Sequence, residues 1–170
     1  MWRRKSGGRS RSRVRIFLLL VSLALAAFHY LLPPKYFRQY FPPSDDPQCT
    51  EAEGCFRGIV TRVVDGDTLD VNGTRVRLVL VNAPERDARG GSASTQYLRQ
   101  LCPVGSTAMV DPDDLQPTDN YGRMLAVVWC GGRRVNEEII RSGHAELYRR
   151  FCRRSEFGQQ PWAVELGCNF

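Results

Sequence analysis

Residues 56–81 read FRGIVTRVV, DGDTLDV, NG and TRVRLVLV in succession, and this stretch decides the fold. Phe56 to Val64 alternates roughly and is rich in β-branched side chains, which predicts a strand. Thr68 to Val71 continues as a second strand. Asn72-Gly73 is a strong hairpin signal, because both residues tolerate positive φ. Thr74 to Val81 returns as a third strand, with Arg75 and Arg77 on one face and Val76, Leu78 and Leu80 on the other. Three connected strands make a meander.

Downstream the period changes. Ser92 to Leu101 places Ala93, Tyr97 and Leu101 at i, i+4 and i+8, with Ser92 as N-cap, which predicts a helix ended by Pro103 and Gly105. Thr107 to Val110 is a short strand, and Pro112 to Asn120 a polar loop. Arg123 to Cys130 is a strand, Gly131-Gly132 a turn, and Val135 to Ser142 a helix closed by Gly143. Arg149 to Phe157 is expected to form a last short helix. Strands and helices do not alternate, so a parallel α/β sheet is disfavoured. The predicted class is all-β/α+β: a small antiparallel barrel of OB type with helices outside.

Upstream lies a different kind of sequence. Ile16 to Leu32 is seventeen residues of mostly apolar sequence stopped by Pro33-Pro34. At about 1.5 Å per residue that is the low end of a bilayer span. Basic residues crowd its N-terminal side, so residues 1–15 are expected to stay cytoplasmic and the domain to lie outside. Three fates are open: an uncleaved anchor, a signal peptide cut near Ala24-Leu25-Ala26, or an organellar leader. Residues 33–55 read as a linker, 56–157 as the domain, and 158–170 as a C-terminal tail.

The whole chain carries a net charge of +6, but nine of its 24 basic residues lie in the first 44, where there is no acid. That leaves 15 bases against 18 acids, a net −3 for the remainder. The basic pI therefore belongs to the tail and is no argument for nucleic-acid binding. A polyanion must be met by local clusters, such as Arg133-Arg134 or Arg149, Arg150, Arg153 and Arg154. All six cysteines follow the hydrophobic segment, which points to an oxidising compartment. Proximity pairs Cys49 with Cys55 and Cys152 with Cys168, leaving Cys102 with Cys130; free buried thiols are the alternative.

His144 is the one histidine of the domain, which excludes mechanisms built on paired histidines or a His-metal cluster. Asp65-Gly66-Asp67-Thr68 offers two carboxylates at a bend, oxygen donors suited to calcium or magnesium. It is not an EF-hand, because Asp70 stands where the glycine belongs and Val76 where the bidentate glutamate belongs. Arg77 interrupts an apolar strand and needs an anionic partner. Asn82-Ala83-Pro84-Glu85 follows, with Pro84 fixing the backbone before Glu85. Tyr121-Gly122-Arg123 opens a later strand with a second arginine.

Taken together, VVDGDTLDV, VRLVLVNAPE, a helix, TDNYGRMLAVVW and VNEEIIRSGHAE resemble the thermonuclease (staphylococcal-nuclease-like) family, from about Gly58 to Tyr148. The resemblance implies a five-stranded OB barrel with about three helices, and a calcium-dependent nuclease acting on DNA, RNA or both. It implies Asp67 as calcium ligand with Asp65 in support, and Arg77 on the scissile phosphate. It implies Glu85 as the base or orienter of the attacking water, Arg123 on the phosphate, and Tyr121 lining the nucleotide site. Arg149 and Arg150 are further substrate-binding candidates, and the chain is expected to act as a monomer.

Two features depart from the family pattern. Asn82 stands where a second metal-binding aspartate is usual, so it would bring an amide oxygen and one charge fewer; Ala83 has only its backbone carbonyl to offer. The C-terminus is short, and a Cys152–Cys168 disulfide is expected to replace helical packing, contributing about 3 kcal/mol. A catalytically silent OB module binding nucleic acid or protein is the alternative function, and a tethered interaction domain a third.

Overall fold

The computed structural model describes residues 54–170. The hydrophobic segment 16–32, the stretches on either side of it and the Cys49–Cys55 pairing lie outside the described residues. Among the described residues no helix is long and apolar enough to cross a membrane.

The strands are β1 (Phe56–Val63), β2 (Thr68–Val71), β3 (Thr74–Leu78), β4 (Val81–Asn82), β5 (Thr107–Pro112), β6 (Met124–Cys130), β7 (Arg133–Arg134) and β8 (Glu146–Leu147). The helices are α1 (Gly91–Leu101), α2 (Val135–Arg141) and α3 (Pro161–Leu166), with 3-10 turns at Arg149–Phe151 and Glu156–Gln159. β1 pairs antiparallel with β2 and β5, β2 with β3, and β5 with β6. A parallel pairing of β3 with β6 closes the ring. The result is a five-stranded barrel of OB type, mixed rather than wholly antiparallel. Closure removes the exposed edges that an open meander would leave.

The hairpin forms at Asn72 and Gly73, both at positive φ. Asn72 also accepts the Ile59 N–H through its side chain at 2.8 Å, which ties the turn to β1 beside a bulge at Val60–Arg62. β3 ends at Leu78, three residues short of the expected Val81. The chain turns at Val79-Leu80, with Leu80 in the left-handed region at φ 62. Residues 81–82 then form the separate β4, paired with β8. An apolar run conceals such a break, because Leu80 carries no turn signal and is buried for packing alone.

Two cores result. Inside the barrel, Val60, Leu69, Val71, Val76, Leu78, Val110 and Val128 meet Leu98 of α1 and Ile139 of α2. Outside it, Leu125, Val127 and Trp129 of β6 pack with Phe157, Trp162 and Ala163 of the C-terminal segment. β6 is therefore buried on both faces, which explains its unbroken apolar sequence. The residues expected as a tail thus carry α3, which places Trp162 in the second core. The Cys152–Cys168 bridge staples this segment and Cys102–Cys130 joins the end of α1 to β6.

Helix α1 presents a different face from the one its apolar residues predict. Gly91, Ser94, Thr95, Leu98 and Leu101 are buried while Ala93 is exposed, and the cap is Gly90 at φ 92 rather than Ser92. Small residues win this face because the 65–67 turn comes close. Tyr97 stacks on His144 with centroids 4.1 Å apart, a tie between α1 and the end of α2.

Asn136 at the start of α2 is fully buried. Its Oδ1 accepts the Val128 N–H at 2.9 Å, and its Nδ2 donates to the Val79 and Ala126 carbonyls at 2.9 and 3.1 Å. Removing it leaves the Val128 N–H and the Val79 carbonyl without this partner, while the Ala126 carbonyl still accepts the Val79 N–H. Asn136→Ala is expected to destabilise the domain by about 3 kcal/mol, read as a lowered urea midpoint at unchanged m-value. A change under about 1 kcal/mol would show that the site rehydrates.

Candidate active site

The site begins at the turn between β1 and β2. Asp65 Oδ1 accepts the Asp67 N–H at 3.0 Å and fixes the bend. A Cβ at position 66 would overlap Ser94 Oγ of α1 and come within 2.7 Å of the Ala83 Cβ. Gly66 thus lets α1 and the β4 loop press against the two carboxylates. Gly91 does the same for the next loop, since a Cβ there would overlap the Glu85 carbonyl.

Asp67 is buried, and its carboxylate is well occupied. Oδ1 accepts the Thr68 hydroxyl at 3.0 Å; Oδ2 accepts the Ala83 N–H at 3.2 Å and the Arg77 guanidinium at 3.1 Å. Arg77 lies opposite Thr68 in the β2–β3 ladder, which puts it beside Asp67. The anionic partner that a mid-strand arginine requires is therefore Asp67. Burial pushes the Asp67 carboxyl above its usual range; Arg77 opposes this, and the charge of Asp65 adds to it.

Arg123 enters from the start of β6. Its Nε donates to Asp119 at 2.7 Å and its Nη1 to the Thr68 hydroxyl at 3.3 Å. Asp119 also accepts the backbone N–H groups of Tyr121 and Arg123 at 2.9 and 3.0 Å. Partial burial works against the Asp119 charge, yet these N–H groups and the Arg123 guanidinium hold its carboxyl below the usual range. Tyr121 is 85% exposed, with the Arg123 guanidinium 5.4 Å from its ring centroid.

Asp65, Asp67, Arg77, Asn82, Glu85 and Arg123 all line one small cavity of about 60 Å³, together with Ala83 and Pro84. Arg77, Asn82, Glu85 and Arg123 also line a neighbouring hollow of about 360 Å³, which reaches Tyr121, Tyr148, Arg150, Phe151 and Arg154. The β4–β8 pairing and the Tyr148 N–H bond to the Leu80 carbonyl set these two walls side by side. The Glu85 carboxylate makes no hydrogen bond or ion pair among the described residues, and it is exposed.

Of the sequence-derived candidates, Arg149 lines neither cavity, nor do Arg133, Arg134 and Arg153 of the basic clusters; Arg133 and Arg134 are paired with Glu138 and Glu137 instead. The Arg149 guanidinium lies against Gly167, because successive residues of a 3-10 turn point about 120° apart. Asp119, Tyr148 and Phe151 are additions, and Arg154 comes from the basic run already singled out. Asp119 sits four residues before Arg123, a spacing that is also ordinary turn chemistry.

The donors at Asp65, Asp67 and Asn82 are all oxygen, which fits a hard divalent ion and not a soft one. Burial raises the Asp67 carboxyl and Arg77 opposes this, so a cation beside it would favour its charged form. Among the described residues there is no group of three or more His, Cys, Asp or Glu placed to hold a metal. An ion there would draw on further oxygen donors, among them the Asn82 amide, the Ala83 carbonyl and water. Ala83 meets Asp67 through its N–H.

A family model described as staphylococcal nuclease homologue matches residues 75–163. The chain is 35% identical over 121 residues to endonuclease YhcR of Bacillus subtilis (strain 168), covering 61% of this chain and 10% of that one. It is 37% identical over 99 residues to an uncharacterized endonuclease of Escherichia coli O157:H7, covering 55% and 62%. It is 34% identical over 109 residues to a micrococcal nuclease of Shigella flexneri, covering 56% and 60%. The chain thus spans a tenth of the first relative and about three fifths of the other two.

Proposed function

The chain belongs to the staphylococcal nuclease homologue family, and on that footing we propose that it is a divalent-cation-dependent endonuclease hydrolysing phosphodiester bonds of DNA, RNA or both. The observation that carries this reading is the meeting of Asp67, Arg77, Glu85 and Arg123 in one cavity of about 60 Å³. A phosphodiester is anionic and repels an incoming hydroxide. Two fixed guanidiniums offset that charge and stabilise what develops in the transition state. Glu85, with no partner of its own, takes the proton of the attacking water as the phosphorus–oxygen bond to the leaving group breaks. Asp67, with Asp65 and Asn82, would hold the cation. When bound, the cation adds positive charge at the phosphate and lowers the pKa of water that it touches.

Calcium is the ion this donor set favours, because it accepts carboxylate, amide and water oxygens in flexible geometry. Supporting an extracytoplasmic site are the two disulfides of the described residues and the basic sequence before residues 16–32. Membrane anchoring or secretion belongs to the same reading.

Asn82 favours a second one, a silent OB module, because it replaces a charge at the cation site. Digestion of plasmid and of RNA by the full-length chain in detergent separates them. Cleavage is expected with calcium, weaker cleavage with magnesium, and none with chelator. Asn82→Asp is expected to lower the calcium concentration for half-maximal rate by about tenfold, as the restored charge tightens the site. No cleavage with any divalent cation would favour the silent module.

A further inference from the structure

Six guanidiniums of the described residues have a carboxylate partner. Arg75, Arg77, Arg123, Arg133, Arg134 and Arg141 each form an ion pair. Arg150 and Arg154 form none among the described residues, although both line the larger hollow. They are held by rings instead. Arg77 and Arg150 lie 5.7 and 5.6 Å from the Tyr148 centroid; Arg150 and Arg154 lie 5.0 and 6.0 Å from that of Phe151. The two rings meet edge to face at 4.6 Å. Guanidinium and ring therefore alternate from Arg77, in the small cavity, out along one wall to Arg154. The Cys152–Cys168 bridge and the Arg154 N–H bond to the Phe151 carbonyl, 2.9 Å, hold the outer end.

Stacking fixes a guanidinium in place without neutralising it, so it keeps its donors for an anion. A line of uncompensated charges leading away from a phosphate-sized cavity matches a chain of phosphates better than a lone nucleotide. We propose that Arg150 and Arg154 bind backbone phosphates next to the scissile one, forming a track for a single strand of nucleic acid with Tyr148 and Phe151 as its supports. This rests on the nuclease reading for the identity of the strand.

The test is binding of a single-stranded oligonucleotide of about 12 nucleotides to the full-length chain in detergent with chelator, followed by anisotropy against salt. Each phosphate contact on a single strand adds about 0.7 to the slope of log affinity against log salt. Arg150→Gln and Arg154→Gln are each expected to flatten that slope by about 0.7 and weaken binding about fivefold at 0.1 M salt. Arg153→Gln removes the same charge beside them, but Arg153 lies over Phe170 and outside the hollow; its slope is expected to match the unsubstituted chain. Unchanged slopes at 150 and 154, an equal loss at 153, or no binding by the unsubstituted chain would each overturn the track. Binding with these slopes but no cleavage with any divalent cation would overturn the nuclease reading and leave the track standing.

Discussion

Arg123→Ala is expected to lower kcat by a factor of ~10² or more while leaving the thermal midpoint nearly unchanged. The separation follows from what the side chain touches. Arg123 is partly exposed, and its fixed partners are Asp119 and the Thr68 hydroxyl. Without the guanidinium, Asp119 still accepts two backbone N–H groups, so its carboxylate is not orphaned. The fold therefore loses little, about 1 kcal/mol for one partly buried ion pair whose carboxylate keeps two N–H donors. The reaction loses a donor fixed in advance beside the phosphate site. Arg123→Lys is expected to recover little of the rate, because an ammonium keeps the charge but not the planar fork. Asp119→Asn should fall between, since it weakens the clamp on Arg123 and leaves the guanidinium in place. Steady-state rates beside a melting curve decide the matter. A rate near that of the unsubstituted chain in Arg123→Ala would remove Arg123 from the reaction.

That pair of residues also marks where sequence stops being enough. Arg77, Glu85 and Arg123 were legible because their types are rare in their settings: a cation inside an apolar strand, an acid aimed by proline, a cation opening a buried strand. Asp119 was not, because an aspartate two residues before Tyr121 in TDNYGR is also what any tight turn uses. Asn136 was hidden for the converse reason. A polar residue near a helix start reads as surface, and only the closed barrel shows that it joins two backbone groups of β6 to the one just after β3. The barrel itself followed from alternation and Asn72-Gly73, both local signals. The parallel closure of β3 on β6, the break at Leu80 and the buried face of α1 are long-range outcomes. Each depends on which element arrives opposite, and no window of sequence contains that information.

The second large effect is expected at Glu85. Glu85→Gln preserves size and removes the one group in the cavity placed to take a proton, so kcat should fall by about 10²–10⁴. The other acids are committed elsewhere: Asp67 accepts from Thr68, Ala83 and Arg77, and Asp65 from the Asp67 N–H. Glu85 alone in the cavity has an unengaged carboxylate, on a loop fixed by Pro84 and by the fit of Gly91 under its carbonyl. Because nothing in the fold depends on its charge, the variant is expected to melt like the unsubstituted chain. It is also expected to bind oligonucleotide in chelator equally well or slightly better, one like charge having left the phosphate site. A fall in kcat with KM little changed is the signature of a group acting in the transition state. Glu85→Asp, one methylene shorter, should retain a small fraction of the rate, since proton transfer depends on reach before acidity. If Glu85→Gln cleaves as fast as the unsubstituted chain, the base is not Glu85.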